Sequence, residues 1–210
     1  MTTISSLMDS VGGLSAPSKM PCHGYSIPAR RCKVGKKMRK VAGSICSICY
    51  ALKGRYSFPN VSSALERRFS LIAKKGWVTN MISALLKIEQ SGFFRWHDAG
   101  DLQSVAHLRR IVRICEATPE IRHWLPTREF ATVRKFLERG GKIPPNLTIR
   151  LSALMIDGPA PESLAKRLGV QVSGASASAF TCPAPKQGNV CGSCRACWSR
   201  STFNVTYKVH

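Results

Sequence analysis

The chain has 210 residues, of which 44% are hydrophobic, and this predicts one sizeable domain with an ordered core rather than a disordered protein. Its 32 basic residues outnumber 11 acidic ones and give a formal net charge of +21, which predicts attraction to nucleic acid or another acidic partner. No apolar run reaches about 18 residues, and the first residues have neither a basic n-region nor an apolar h-region, so no membrane span or secretory signal is expected.

The chain divides by composition into four segments. Residues 1–20 are rich in serine, glycine and threonine without a hydrophobic period, so a flexible or loosely docked arm is predicted. The remainder, 21–210, is interpreted as one α/β domain. It starts with a cysteine-rich and basic segment at 21–50, which glycines divide into turns too irregular for a helix. Repeated β/α units follow at 51–180, and a second cysteine-rich segment, expected to bind metal, occupies 181–210.

Helical and strand patterns alternate after residue 51. Helices are predicted over 61–74, from 77 to a stop at Gly92, over 103–117, from 130 to 139 and over 161–168. Short apolar strands are predicted at 93–97, 121–125, 147–152 and 170–173, with a weaker candidate at 44–50. Strands separated by helices indicate right-handed βαβ units and a parallel sheet. The chain is short of the ~250 residues of a full eight-stranded barrel, so a partial, open β/α barrel is predicted, with a doubly wound sheet as the alternative.

Polar residues stand where the predicted strands end, and ligands of parallel α/β folds bind at that edge of the sheet. The candidate acid–base groups, anion clamps or cation ligands are His97, Asp98, Asp101, Arg128 and Glu129. Ser152 and Ser173 end later strands and are candidates for cofactor contact. The alternative is structural: Asp101 would cap the next helix and Arg128 would pair with a carboxylate. His107 and His210 have no partners in sequence and are expected at the surface.

Four cysteines near the C-terminus follow the pattern C-x8-C-x2-C-x2-C, at Cys182, Cys191, Cys194 and Cys197. A C-x2-C step lets two thiolates converge on one metal, and the repeated step is typical of ligands around an iron–sulfur cube. The fourth ligand would be Cys182 or a thiolate of the pair Cys46 and Cys49. A structural zinc site is the alternative.

The remaining cysteines are assigned less firmly by their spacing. Cys22, His23 and Cys32 could form a small zinc site with a remaining thiolate or be plain thiols, and Cys32 is the last of the candidate metal ligands. Cys115 lies on the apolar stripe of a helix and is predicted to be a buried thiol. In a reducing cytoplasm, nine cysteines are expected to be ligands or buried thiols rather than disulfides.

Four blocks of sequence carry a resemblance to a known family. They are 46–60, which begins with Cys-Ser-Ile-Cys-Tyr, 94–102, 123–129 and 182–198. Together they resemble a phage- and prophage-encoded group of cysteine-rich proteins, the phage gene-product-eighty-eight-like family. The resemblance implies a phage origin and the cytoplasm of an infected host bacterium. That family is distantly similar to radical S-adenosylmethionine enzymes, which combine a partial β/α barrel with an iron–sulfur cluster, although this chain lacks their C-x3-C-x2-C loop.

Two functional hypotheses follow from these features. The first is an iron–sulfur protein, with a four-iron cluster, that acts as a redox or radical-type enzyme on a small-molecule substrate at the C-terminal ends of the strands. The second is a zinc- or cluster-stabilised protein whose basic surface binds nucleic acid.

Overall fold

The computed structural model describes residues 3–209 and contains one six-stranded sheet in which all neighbouring strands are parallel. The strands lie side by side in chain order: β1 (Gly24–Tyr25), β2 (Phe93–Trp96), β3 (Arg122–Thr127), β4 (Leu147–Ser152), β5 (Gln171–Ser176) and β6 (Asn204–Lys208). The helices are α1 (Ile4–Val11), α2 (Lys33–Met38), α3 (Pro59–Leu71), α4 (Trp77–Ile88), α5 (Val105–Glu116), α6 (Phe130–Glu138) and α7 (Glu162–Leu168). This confirms the predicted parallel α/β class and is compatible with a partial, open barrel.

The four clear strand predictions and the five helix predictions correspond to β2–β5 and α3–α7, with bounds that differ by a few residues. The weak strand candidate at 44–50 was wrong, because that segment forms turns with a single antiparallel bridge between Ser44 and Met155. The fifth and sixth strands are instead β1, which has two residues, and β6, which lies inside the second cysteine-rich segment, 181–210. The four cysteines of that segment therefore lie in the connection between β5 and β6.

One face of the sheet packs against the helices. Phe94 and Trp96 of β2 and Ile149 of β4 are buried there, in the same cluster as Met81 of α4 and Leu108 of α5. Side chains in a strand alternate between faces, so the residues between these project to the other side. Cys115 is fully buried in this core, as its place on the helical stripe predicted.

The second face of the sheet is covered by the connection between β5 and β6. Trp198 packs there against Trp124 and Phe93 at ring-centroid distances of 5.3 and 5.4 Å. Its indole Nε1 donates a hydrogen bond to the Phe94 carbonyl at 2.9 Å, and its own carbonyl accepts one from Thr148 Oγ1 at 2.8 Å. The C-terminal cysteines therefore lie over the middle of the sheet.

The N-terminal segment is not the loosely attached arm that its composition predicted. Residues 4–11 form α1, capped by the Thr3 side chain, and the helix buries Leu7 and Val11 against α4. These two residues are four apart and share one helical face, a signal too short to stand out in a serine-rich stretch. Tyr25 fastens the helix by donating a hydrogen bond from its hydroxyl to the Val11 carbonyl at 2.8 Å. Residues 1 and 2 of the predicted arm lie outside the described part.

The basic segment also contains a short helix, α2, although its glycines had argued against one. Gly35 lies inside α2 and is buried. Between residues 3 and 209, no helix is long and apolar enough to cross a membrane.

Candidate metal centre and adjoining polar site

Three cysteines occupy the long loop after β1 and form the N-terminal cysteine group: Cys32, Cys46 and Cys49. Cys32 is the N-cap residue of α2, and Glu129 fixes the start of that helix, because its carboxylate accepts hydrogen bonds from the backbone N–H groups of Lys33 and Val34 at 3.1 and 2.8 Å. A Cβ atom added to Gly35 would lie 2.9 Å from Cys32 Cβ and 3.7 Å from Sγ of both Cys32 and Cys46. The thiols of Cys32 and Cys46 therefore both lie beside Gly35, and a larger residue at this position would clash with the Cys32 side chain.

Electrostatics link the three thiols of this group. Burial raises the pKa of Cys32, and Asp101, Cys49 and Cys46 raise it further. Burial also raises the pKa of Cys46, where the Arg128 guanidinium acts in the opposite direction. Because their pKa values are raised, Cys32 and Cys46 are protonated at neutral pH in the metal-free protein, so binding of a metal to them would release protons.

Asp101 lies beneath this group and joins the ends of two strands. Its carboxylate accepts hydrogen bonds from Thr127 Oγ1 at 2.5 Å, from the Leu102 N–H at 2.7 Å and from the Arg128 N–H at 2.8 Å. Burial raises its pKa to about 6, although the three hydrogen bonds favour the charged form. Asp101 does not cap α5, which begins after the capping side chain of Ser104. Arg128 donates its Nε–H to the Ala153 carbonyl at 3.0 Å rather than to a carboxylate.

Asp98 belongs to a separate polar cluster at the end of β2. Its carboxylate pairs with the Arg95 guanidinium at 2.8 Å and accepts a hydrogen bond from the Tyr56 hydroxyl. Its backbone carbonyl accepts a hydrogen bond from the Tyr50 hydroxyl at 2.5 Å. Arg95 stacks on the Trp124 ring at 4.4 Å and so projects to the face that carries the C-terminal segment.

His97 is buried, and neither of its ring nitrogens has a hydrogen-bond partner in the described part of the chain. Its backbone is left-handed, with φ of 54°, which is uncommon for a residue other than glycine. His107 lies edge-on to it at a centroid distance of 5.4 Å, so His107 is a core residue and not the surface residue predicted. Burial, His107 and Arg95 hold the pKa of His97 well below its usual range. His210 lies outside the described residues.

Ser152 and Ser173 face each other on β4 and β5, and the Ser173 hydroxyl donates a hydrogen bond to Ser152 Oγ at 3.1 Å. A cleft of about 540 Å³ lies further along the sheet and is lined by Asp157, Glu162, Ser176 and other residues. Neither serine lines this cleft, and neither do the five predicted acid–base residues. Their functional roles stay predictions.

The C-terminal cysteine group comprises Cys182, Cys191, Cys194 and Cys197. Backbone hydrogen bonds hold the segment at two ends: Cys182 N–H donates to the Thr206 carbonyl at 3.0 Å and Cys191 N–H to the Lys19 carbonyl at 2.9 Å. Cys197 Sγ lies 3.3 Å from the Tyr207 hydroxyl of β6. Left-handed backbone at residues 188, 189 and 192 turns the chain between the cysteines.

These thiols also interact with one another. Burial raises the pKa of Cys197 to about 11, Cys182 adds to this, and Arg150 and Arg95 oppose it. Burial, Cys182 and Cys194 raise the pKa of Cys191. The groups with the largest effects on Cys46 all belong to its own surroundings, and none is a C-terminal cysteine. Arg95, in contrast, lowers the pKa of Cys22, Cys191 and Cys197 and thus adjoins the C-terminal group.

Cys22 precedes β1 and associates with the C-terminal group. It is buried with Trp124 and Trp198, and Cys191 is among the groups that raise its pKa to about 12, after burial and Glu89. His23 Nδ1 lies 2.9 Å from the buried carboxylate of Glu89. The role of His23 as a zinc ligand stays a prediction.

Arg150 is the most enclosed charge near this group. Its side chain is fully buried on β4 and donates hydrogen bonds only to backbone carbonyls, with no carboxylate partner among residues 3–209. The six acceptors are the carbonyls of Val172, Ala196, Cys197, Ser199, Thr202 and Phe203. This guanidinium organises the C-terminal segment and leaves a positive charge uncompensated beside Cys197.

Sequence reasoning missed Arg95 and Arg150, although a signal was present. Each is the single charged residue in a short apolar strand, and the two-residue period puts it on the face opposite the core. Between residues 3 and 209, no set of three or more histidine, cysteine, aspartate or glutamate side chains is arranged to hold a metal ion. The positive charges of Arg95 and Arg150 both lower the pKa of Cys197, so these two charges favour a thiolate there.

The fold and these residues define a parallel α/β protein whose two cysteine groups lie at the strand ends and on one face of the sheet. The family model described as Gene product 88 matches residues 5–200, and the chain therefore belongs to this phage gene-product family. Comparison with curated proteins and with solved structures gives no match.

Proposed function

We propose that this protein binds an iron–sulfur cluster through Cys191, Cys194 and Cys197, with Cys182 as the fourth thiolate. The observation that carries the proposal is the position of two arginines beside this cysteine group: Arg150, which is fully buried and lacks a carboxylate partner within the described chain, and Arg95, whose side chain is 16% exposed. A buried cation without a counter-ion is costly, and an anionic cluster with thiolate ligands would offset that cost. The thiols would converge from their present positions when the metal binds.

A bound cluster would supply one-electron redox chemistry. Around it, Tyr207 is placed to donate a hydrogen bond to Cys197 Sγ, and Arg95 and Arg150 contribute positive charge, both of which favour the reduced state. Trp124 and Trp198 cover the site on the sheet side and limit access of water. These residues would thus set the reduction potential.

The N-terminal cysteine group supports a second part of the proposal, an enzymatic role of redox or radical type. Cys32, Cys46 and Cys49 lie at the strand ends, where parallel α/β folds bind their ligands. Three thiols would leave one metal position for another ligand. Glu129 and Asp101 would act as positioning residues, because they hold α2 and the β3 loop rather than project toward a substrate. The proposed setting is the cytoplasm of an infected bacterium, which keeps thiols reduced.

Anaerobic purification with iron, sulfide and zinc analysis tests the proposal. We expect brown protein with absorbance near ~400 nm and about four iron atoms per chain for each occupied cysteine group. Replacing Cys194 with Ala should remove the C-terminal share of the iron. Cys115→Ala is the matched control, because that thiol is fully buried among the helices and should not affect iron content.

Variants of the two groups separate one cluster from two. If each group binds its own cluster, Cys46→Ala and Cys194→Ala each remove about half of the iron. If the groups share one cluster, each single variant abolishes the absorbance. Colourless protein with stoichiometric zinc would refute the iron–sulfur assignment.

A further inference from the structure

A long stretch near the N-terminus carries only positive charge. No acidic residue lies between Asp9 and Glu66, whereas ten lysine and arginine residues do. Arg31 pairs with Glu66 at 3.2 Å, and it is the one member of the ten with a carboxylate partner within the described chain. The exposed members include Lys36, Lys37 and Lys40. The lysines of this stretch have no carboxylate partner among the described residues, so an external anion is their natural partner.

The same stretch exposes large apolar side chains. Val41, Ile48, Tyr50 and Phe58 have relative exposures of 41%, 36%, 46% and 56%. The Tyr50 hydroxyl is fixed by its hydrogen bond to the Asp98 carbonyl, and its ring packs edge-on against Tyr56 at 5.7 Å. The orientation of the Tyr50 ring is therefore fixed, and the ring itself, rather than the hydroxyl, is exposed to solvent.

Residues 33–58 of this stretch cover the C-terminal ends of the strands. Lys33 Nζ donates a hydrogen bond to the Gln103 carbonyl in the loop after β2, at 2.6 Å. Backbone bonds from Ile45 N–H to the Leu154 carbonyl and from Ile156 N–H to the Gly43 carbonyl, both at 3.0 Å, join it to the loop after β4. A partner bound to the segment would therefore lie over the N-terminal cysteine group.

We propose that residues 33–58 form a binding surface for single-stranded nucleic acid. Exposed aromatic rings among unpaired lysines are the combination that binds single strands, because bases stack on the rings and cations neutralise phosphates. A duplex keeps its base faces covered and would use only the lysines. Tyr50 and Phe58 are the stacking residues, and Lys36, Lys37 and Lys40 contact phosphates. This surface goes beyond the proposed cluster and does not depend on it.

Fluorescence anisotropy with a labelled oligothymidylate of about 20 nucleotides tests the surface, with a duplex of equal length for comparison. We expect the full-length protein to bind the single strand more tightly than the duplex. Phe58→Ala should weaken single-strand binding about tenfold or more, and Phe58→Trp should retain it, since a ring is restored. Leu86→Ala is the control, because Leu86 is equally apolar and 63% exposed on α4, outside the segment.

Salt dependence tests the lysines. Replacing Lys36 and Lys37 together with alanine should reduce the slope of log affinity against log salt by about 1.4, the value for two phosphate contacts on a single strand. The adjacent exposed pair Lys74 and Lys75 lies outside the segment, and its double alanine variant should leave the slope unchanged.

Three outcomes would overturn the proposal: no binding at low salt, equal or tighter binding of the duplex, or equal effects of Phe58→Ala and Leu86→Ala. Iron content measured on the same samples separates this result from that of the cluster. Cys191→Ala protein that has lost iron but binds the single strand would support the surface alone. Brown protein that binds no nucleic acid would support the cluster alone.

Discussion

Two buried histidines, His107 and His123, make the stability of this protein sensitive to acid. Burial lowers the pKa of each from 6.5 to about 3. In the unfolded chain both regain an ordinary pKa and bind protons first as the pH falls. Their contribution to stability is therefore complete above pH 6.5, is lost as the pH falls below that value, and is exhausted near pH 3.

The magnitude follows from linkage. At pH 5, each histidine would lower the free energy of unfolding by about 2 kcal/mol relative to pH 8. Asp101 acts in the opposite direction, because its folded pKa of about 6 exceeds the unfolded value of 3.8. Its contribution is present at low pH, is lost as the pH rises through 6, and offsets about 1 kcal/mol at pH 5. The net loss from the three groups is roughly 3 kcal/mol, a large part of a typical stability of 5–15 kcal/mol.

Urea unfolding of the wild-type protein and of His123→Phe at pH 8 and pH 5 measures this effect. Phenylalanine keeps a ring beside Trp96, which stacks on His123 at 6.1 Å. Thr118 loses its contact with the His123 ring but still donates to the Ile114 carbonyl. The variant should lose about 2 kcal/mol less than the wild type between the two pH values. Equal losses in both proteins would refute the burial argument.

Four further substitutions have expected outcomes. Gly100→Ala puts a Cβ 2.4 Å from the Ile27 side chain and should lower the free energy of unfolding by about 3 kcal/mol. Gly140→Ala is also at positive φ but in open space, and it should lower the free energy of unfolding by about 1 kcal/mol. Urea unfolding of the two variants compares these losses. Arg150→Met removes the donor of six backbone carbonyls and should lower the free energy of unfolding by about 3–5 kcal/mol. A urea midpoint equal to that of the wild type would contradict the role of Arg150 in holding the C-terminal segment. Gly35→Ala should displace the side chain of Cys32 and lower the iron content of the protein without changing its helix content. A variant with the iron content of the wild type would contradict this.

Local pattern predicted the central part of the fold. The strand β4 was predicted with its observed bounds, and α4 and α5 followed from apolar residues at helical spacing. The two outer strands were missed for different reasons. β1 has only two residues and is too short to show a period. Val205 and Tyr207 of β6 do alternate, but they lie in the segment 181–210, which the cysteine spacing had assigned to metal binding.

The candidate site was predictable in composition but not in arrangement. Spacing identified the cysteines at 182–197 as a set, because three steps along the chain confine them to one turn-rich segment. It left open whether the fourth ligand is Cys182 or a thiolate of Cys46 or Cys49, and in the structure the latter two lie near Cys32. Whether cysteines far apart in the sequence lie close together depends on which loops cover each end of the sheet. The periodicity of the sequence carries no information about that.

The sequence by itself determined the parallel α/β class, the buried thiol of Cys115 and the excess of positive charge, because each depends on period or composition. Only the tertiary structure decided that the C-terminal cysteines cover one face of the sheet, that Arg150 anchors them, and that the basic segment lies over the strand ends. These features depend on contacts between residues far apart in the chain, such as Arg150 with Ala196, Trp198 with Phe94 and Ile45 with Leu154. Such contacts form only when the strands assemble and bury the second face.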